Sequence, residues 1–268
     1  MEWRGEGVLI ARRRHGESGA IVELFTHAQG RHAGFVPGGA GRRLAPVLQP
    51  GAQLAVTWRA RLADQIGTYR VEPMRARAAA LFDDPAALAA LSAVTALLSW
   101  ALPEREPHPG LYSATIGLLD GLGGPAWPMI YARWELALLR DLGFGPDLTR
   151  CALTGAQSGL SHIELASGRA VSGRAAQDLP AAQLRPLPAF LTAREPEERQ
   201  TADASSAAAA PPVDDADALR QALDLTGHYL DAWLGAALER PGLPPARDRL
   251  LARLTRQGGT PAPLHPAR

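Results

Sequence analysis

Arg12, Arg13, Arg14, Arg31, Arg42, Arg43, Arg59, Arg61 and Arg70 are the residues of this chain best suited to chemistry, and that chemistry is charge recognition rather than bond breaking. A guanidinium presents five donors in a planar fork that fits a phosphate, and it stays charged at every physiological pH. The chain has no lysine, so every fixed cationic role falls to arginine. Residues 1–80 hold 12 arginines against 6 acids and residues 81–268 hold 16 against 21, so the net charge of +1 conceals two regions of opposite sign. Taken alone, Arg12 to Arg14 read as edge charge that keeps strands from associating. Nine such residues on one short, acid-poor stretch instead point to a groove for an anionic polymer backbone. Phe35, Tyr69 and Trp3 are placed to stack on bases, whereas Phe25 and Trp58 fall on apolar faces and are expected in the core.

Other reactive constellations fail on spacing. There is no Walker sequence, no glycine fingerprint after a strand, no pair of histidines on one helix face and no Gly-x-Ser-x-Gly elbow. Gly38 to Arg43 has the glycines of a phosphate loop but lacks the Lys-Ser/Thr ending and opens no helix, so it reads as a glycine loop that displays Arg42 and Arg43. Cys151 as a nucleophile needs a nearby base, and His162 is the only local candidate; a single cysteine is more often buried and inert. As zinc ligands Cys151 and His162 make two of the four required.

The elements that position the arginines have a period of two. Val8 to Ile10, Ile21 to Thr26, Arg31 to Val36, Leu54 to Arg61 and Thr68 to Val71 read as five short strands, with a hairpin turn at His27-Ala28-Gln29-Gly30. Leu54, Val56, Trp58 and Ala60 alternate with Ala55, Thr57, Arg59 and Arg61, so one face of the fourth strand is apolar and the other ends in two guanidiniums. Five strands in about eighty residues suit a small barrel whose closure removes exposed edges. Behind it the period changes to helical. Asp84-Pro85 opens a helix that stops near Pro103, Leu111 to Leu122 forms a second, and Pro128 to Leu142 a third that Gly143 terminates. Residues 150–185 are rich in glycine, serine and alanine and read as an inserted turn-rich module; 192–213 have the composition of a disordered loop. Asp214-Asp215 opens a last long helix carrying Leu219, Leu223, Leu230, Trp233 and Leu234, and Arg247 to Leu254 forms a shorter one. The expected division is a barrel over 1–80 and a helical domain over 81–268, an α+β chain.

The apolar run Ala86 to Leu102 is broken by Ser92, Thr95 and Ser99 and falls short of the roughly 20 residues of a membrane span. Met1 to Arg4 lead into strand-like sequence without a secretory pattern, and one cysteine excludes an internal disulfide; both agree with a cytoplasmic, non-membrane protein.

Two blocks of this sequence resemble the RecO family of recombination mediators and DNA repair proteins. Gly16-Glu17-Ser18, Ile21-Val22, Leu24-Phe25-Thr26, Gly30-Arg31, Gly38 to Arg43 and Leu48-Gln49-Pro50-Gly51 are similar, in order, to the family's amino-terminal signature. Arg133-Trp134-Glu135-Leu136-Ala137-Leu138-Leu139-Arg140-Asp141-Leu142-Gly143-Phe144-Gly145, followed by Cys151, is similar to its second block. The resemblance implies an amino-terminal OB fold and a helical carboxy-terminal domain. It implies a non-enzymatic DNA-binding protein that holds single- and double-stranded DNA and anneals complementary strands. With RecR it would help a RecA-type recombinase displace single-stranded DNA-binding protein, SSB. Arg31, Arg42 and Arg43 match basic positions of the family, and Arg133 with Arg140 would receive the acidic SSB tail, unless Arg133 pairs instead with Glu135 or Asp141 or simply faces water. The sequence departs from the family at the module after Gly145. Many relatives carry two Cys-x-x-Cys pairs there, but this chain has Cys151-Ala152-Leu153-Thr154, with Val171 and Arg174 at the expected places of the second pair. A degenerate zinc-finger-like module without metal, and no other cofactor, is the expectation. The other functional class open to these residues is an OB-fold RNA-binding or translation-associated module whose helices dock a partner.

Overall fold

Alternation along the first 75 residues becomes five strands: β1 (Glu2–His15), β2 (Gly19–Thr26), β3 (Gly30–Val36), β4 (Gln53–Arg59) and β5 (Thr68–Arg75). They close as a barrel in the order β1-β2-β3-β5-β4. β1 makes closure possible by serving two neighbours: Glu2 to Val8 pair with β4 and Gly7 to His15 pair with β2, with a bulge between Leu9 and Ala11 that bends the strand. Closure between β3 and β5 rests on one parallel pair, Phe35 with Thr68. The interior is filled by alternate residues, among them Leu9, Val22, Leu24, Leu54, Val56, Trp58 and Tyr69. Phe25 and Trp58 are buried, as their apolar faces require. Gly34 lets the Tyr69 ring lie directly on the β3 backbone, in the space that a Cβ would occupy.

The described residues of this computed structural model are 1–62, 65–192 and 216–257. They fall into two compact units, one made of Met1–Gly123 with the chain from Leu243 onward, the other of Gly124–Gly242. The helices nearest in sequence to the barrel pack with it, so the compact units extend across the sequence boundary near residue 80. After the one-turn α1 (Arg77–Ala80), α2 (Pro85–Ala101) starts at Asp84, whose carboxylate accepts from the N–H groups of Ala86 and Ala87 at 3.0 Å each. Its alanine-rich sequence presents a thin surface on which both β1 and the last helix can pack closely. α3 (Pro109–Gly121) buries Leu111, Tyr112, Thr115, Leu118 and Leu119.

In the second unit α4 (Trp127–Asp141) buries Tyr131, Trp134 and Leu138 and is ended by Gly143 at φ +83°, with Phe144 N–H donating back to Leu139. Ile130, although apolar and next to Tyr131, is exposed. The module that follows contains a small antiparallel sheet, β6 (Leu160–Glu164), β7 (Arg169–Ser172) and β8 (Leu184–Pro186), in the order β7-β6-β8. Strands of three to five residues with glycines between them leave too short a run for alternation to register. A one-turn α5 (Ala189–Thr192) follows, then α6 (Ala216–Tyr229), continued by a π-helical turn over Leu230–Gly235. Trp233 packs on Gly168 and Tyr229. The expected disordered loop lies, from residue 193, outside the described residues, as do Asp214 and Asp215. α7 (Pro245–Gln257) returns to the first unit and packs on α2. Among the described residues no helix is long and apolar enough to cross a membrane.

Candidate nucleic-acid interface

β1, β4 and β5 lie side by side, and their registers arrange the outer face of the barrel in rows. Arg4, Thr57 and Arg70 form one row, Glu2, Arg59 and Thr68 the next, and Glu6, Ala55 and Glu72 the row on the other side. Successive rows are about 6.7 Å apart, two residues of strand rise. The arginines are therefore bounded by carboxylates toward Glu6 and Glu72, so this face is less acid-poor than the count over residues 1–80 implies. An anionic chain running along the strands meets the Glu6 and Glu72 carboxylates; one crossing them along the row of Arg4, Thr57 and Arg70 does not.

The crossing direction leads to a cleft. Beyond the single Phe35–Thr68 pair, the edge of β5 faces the loop after β3, and Arg4, Arg43, Arg59 and Arg70 line the resulting space of about 550 Å³ together with Leu44 and Tyr69. No carboxylate lines it. Arg4, Arg43 and Arg70 are exposed, and Arg59 makes an exposed ion pair with Glu2 at 3.0 Å. Such a pair is worth about 0–1 kcal/mol, so Arg59 can exchange it for a phosphate. Arg12 is not at the surface of this site but under it: its guanidinium donates to the carbonyls of Ala45 (2.8 Å) and Leu48 (3.2 Å) and pins the loop that carries Arg43. Arg42 is exposed on the same loop, outside the cleft lining.

A second groove of about 590 Å³ meets the first at Thr68 and is lined by His15, Ile21, Phe35 and Ile66. Phe35 lies outward across Gly19, where any Cβ would strike its ring, and His15 meets its edge at a centroid distance of 5.8 Å. Arg13 shares a register row with Ile21 and Phe35, and Arg14 sits one position further along the exposed hairpin; Arg61 is exposed beyond the end of β4. An apolar, aromatic groove continuous with an arginine cleft is the combination that holds bases and backbone of a single strand.

Two predicted contacts are excluded by position. Tyr69 is 1 % exposed, with its ring inside the barrel, so it offers no stacking surface. Arg31 is only 13 % exposed at its side chain and is bound to Glu23 at 2.9 Å, with Glu104 at 3.7 Å; it ties β3 to β2 and to the chain after α2. Trp3, the third stacking candidate, packs against the core beside Trp58 and His32. Arg4, which the sequence did not single out, takes their place.

His32 sits inside the barrel, its Nδ1 sharing a 2.8 Å hydrogen bond with the Tyr69 hydroxyl. Burial, reinforced by Arg105, lowers its pKa from 6.5 to about 4. Between these values the unfolded chain binds a proton that the native chain does not. Stability should thus fall as pH drops from 6.5 to 4, by up to about 3 kcal/mol, and level off below. Urea midpoints at pH 7 and 4.5 for wild type and His32→Gln check this: the variant should lose most of the difference, and an equal pH dependence in both would assign it to other groups.

In the second unit a larger cleft, about 800 Å³, is lined by Arg133 and Arg140 from α4 and by Leu136, Leu148, Leu160 and Leu191. Helical spacing puts Arg133, Leu136 and Arg140 on one face. Arg133 Nε donates to the Phe190 carbonyl at 2.9 Å, which orients its guanidinium. Asp147 also lines the cleft; its carboxylate accepts from the Thr149 hydroxyl and N–H, which hold its pKa below the usual value. Glu135, buried, accepts from Tyr131 at 2.7 Å and from Thr226 across to α6.

β7 brings Ser172 against Cys151. Ser172 N–H donates to the thiol sulfur at 3.3 Å, and the Ser172 hydroxyl lies 3.6 Å from it; Ala175 packs in the same cluster with Val171 and Leu184, whereas Arg174 is exposed. Thr154, at the second position of the first Cys-x-x-Cys pair, carries a hydroxyl in place of a thiol. One thiol, two hydroxyls and a methyl do not make a tetrahedral zinc set. Among the described residues no group of three or more His, Cys, Asp or Glu side chains is placed to hold a metal ion.

Comparison with known proteins places both halves of the chain. Residues 1–77 match the family profile described as Recombination protein O N terminal, and residues 83–241 match Recombination protein O C terminal. A protein named DNA repair protein RecO from Cereibacter sphaeroides is 51 % identical over 256 residues, covering 96 % of this chain and 99 % of that protein. Proteins of the same name from Jannaschia sp. and Roseobacter denitrificans are each 48 % identical, over 96 % of this chain and 98 % and 100 % of theirs.

Proposed function

We propose, because the chain belongs to the RecO family of DNA repair proteins, that its barrel is an OB fold that binds DNA and that the protein acts as a recombination mediator. The observation that carries this reading is the cleft lined by Arg4, Arg43, Arg59 and Arg70 with no carboxylate in its lining, Glu2 at its edge being held in exposed pairs with Arg4 and Arg59. Arginines there neutralise phosphates and release counterions, while Phe35 and Ile66 in the adjoining groove accept a base. Both terms are indifferent to sequence, which suits a protein that must act on any stretch of DNA. Bringing strands together on such a surface lowers their mutual repulsion, so complementary strands anneal. Strand handover is driven by binding energy, with no nucleotide hydrolysed and no bond made or broken. The protein would work in the bacterial cytoplasm beside RecR, clearing SSB so that a RecA-type recombinase can assemble.

The cleft on α4 supports the partner half of this reading. Two guanidiniums beside leucines fit a peptide end that combines carboxylates with apolar side chains, as the acidic SSB tail does. A tail peptide should bind wild type and lose on the order of tenfold in affinity with Arg133→Ala, as expected for one charge-assisted contact; equal binding by both would remove Arg133 from the site. The module around Cys151 is proposed to hold by packing, without metal. Stoichiometric zinc in elemental analysis of tag-free protein would overturn that.

Direct binding tests the reading as a whole. Anisotropy of a labelled single-stranded oligonucleotide should give an affinity that falls linearly in log-log form as salt rises, with a slope of about −0.7 per phosphate contacted. Binding without salt dependence, or none at low salt, would refute a backbone-binding barrel; preference for RNA over DNA of the same sequence would favour the RNA-binding alternative.

A further inference from the structure

The C-terminal helix carries a feature that the cleft does not use. Along α7, Ala246, Arg247 and Leu250 are buried and Leu251 and Leu254 partly so, which sets the face turned to the first unit. Arg249, Arg253 and Arg256 are all exposed. Their spacing of four and three residues brings them within about 60° of one another around the helix axis, a single stripe about 10 Å long. Asp248 is the only acid on the helix, and it lies about 100° away from Arg249. α2, on which α7 packs, has no charged residue at all. None of the three arginines makes an ion pair among the described residues.

Like charges at this spacing repel and destabilise a helix. A solvated surface helix normally mixes its signs, and this one concentrates one sign on one line. The matching surface is a regular array of negative charge. The phosphates along a nucleic-acid strand are such an array. Arginine, rather than a hydrated point charge, suits that contact through its forked donors.

We propose that Arg249, Arg253 and Arg256 of α7 form a second DNA-backbone site, which holds a second strand while the barrel cleft holds the first. This rests on the reading of the barrel as a DNA-binding domain and extends it: a single chain then carries both strands of an annealing pair. Annealing does not require a second molecule.

The experiment counts strands per chain. A short oligothymidine, unable to pair with itself, is titrated into wild type and into two triple variants at low salt, by calorimetry with native mass spectrometry for stoichiometry. One variant is Arg249→Gln/Arg253→Gln/Arg256→Gln, in which glutamine keeps helix propensity close to that of arginine; the other is Arg4→Gln/Arg59→Gln/Arg70→Gln. Wild type should bind two strands per chain and each variant one. The α7 variant should also anneal complementary strands at least tenfold more slowly. If wild type binds one strand, lost in the cleft variant alone, the barrel reading stands and the α7 site is overturned. If the α7 variant still binds two strands and anneals at the wild-type rate, the site is equally overturned, and an acidic protein surface becomes the occupant of the stripe. If wild type binds none, both readings fall together.

Discussion

Replacing Arg4, Arg59 and Arg70 together with glutamine should reduce the salt dependence of single-strand binding by about two units of log-log slope and weaken affinity on the order of a hundredfold at 0.1 M salt. The three lie in two adjacent register rows of the barrel's outer face and line one cleft with Arg43. If each neutralises one phosphate, its loss removes about 0.7 counterions from the release term, and three such losses set both figures. Arg31→Gln provides the contrast. Its guanidinium is committed to Glu23 and Glu104, so its removal should lower thermal stability while leaving the salt slope unchanged. A slope that drops with Arg31→Gln and holds in the triple variant would invert this assignment. Phe35→Ala should weaken binding by on the order of tenfold without altering the slope, because stacking releases no counterions.

Asp120→Ala should cost about 1–3 kcal/mol of stability in the first unit, because it leaves the buried Arg77 cation without its carboxylate, although Asp120 itself is exposed. Arg77 is 5 % exposed, and its donors are divided between Asp120 (2.7 Å), the Gly51 carbonyl and Gln53 (3.2 Å each). Gln53 in turn donates to the Tyr112 hydroxyl at 2.9 Å, so one buried network joins β4, α1 and α3. Arg75 shares the same carboxylate at 2.6 Å. Without Asp120 the Arg77 cation remains buried with only neutral oxygens. The double variant Arg77→Met/Asp120→Ala removes the charge as well and should be more stable than Asp120→Ala alone. Denaturant midpoints decide the order. A single variant within about 0.5 kcal/mol of wild type, or a double variant below the single one, would show that the Arg77–Asp120 pair does not hold these helices to the barrel.

The strands and helices were largely legible because their signals are local. Ile21 to Thr26 and Arg31 to Val36 alternate cleanly, and Asp84-Pro85 and Gly143 mark helix ends by side-chain and backbone chemistry that acts within one turn. What failed depends on partners distant in sequence. Arg31 looks like a phosphate ligand until β2 brings Glu23 beside it. Arg4 gains its meaning only from the register that aligns it with Thr57 and Arg70. Tyr69 could have been placed correctly: Arg70 must face out, and period two then turns Tyr69 in. That α2 and α3 pack with the barrel was not legible, because the return of α7 to α2 is a long-range contact that no local pattern encodes. The sheet β6 to β8 escaped because three residues of strand carry no period.

If DNA handover proceeds by charge on the barrel and not by catalysis, annealing of complementary strands precoated with cognate SSB reads it most directly. The protein, without nucleotide or added metal, should accelerate annealing at low salt. The acceleration should fade as salt rises and be lost in the Arg4→Gln/Arg59→Gln/Arg70→Gln variant. Acceleration that survives in that variant, or that persists unchanged at high salt, would contradict the account.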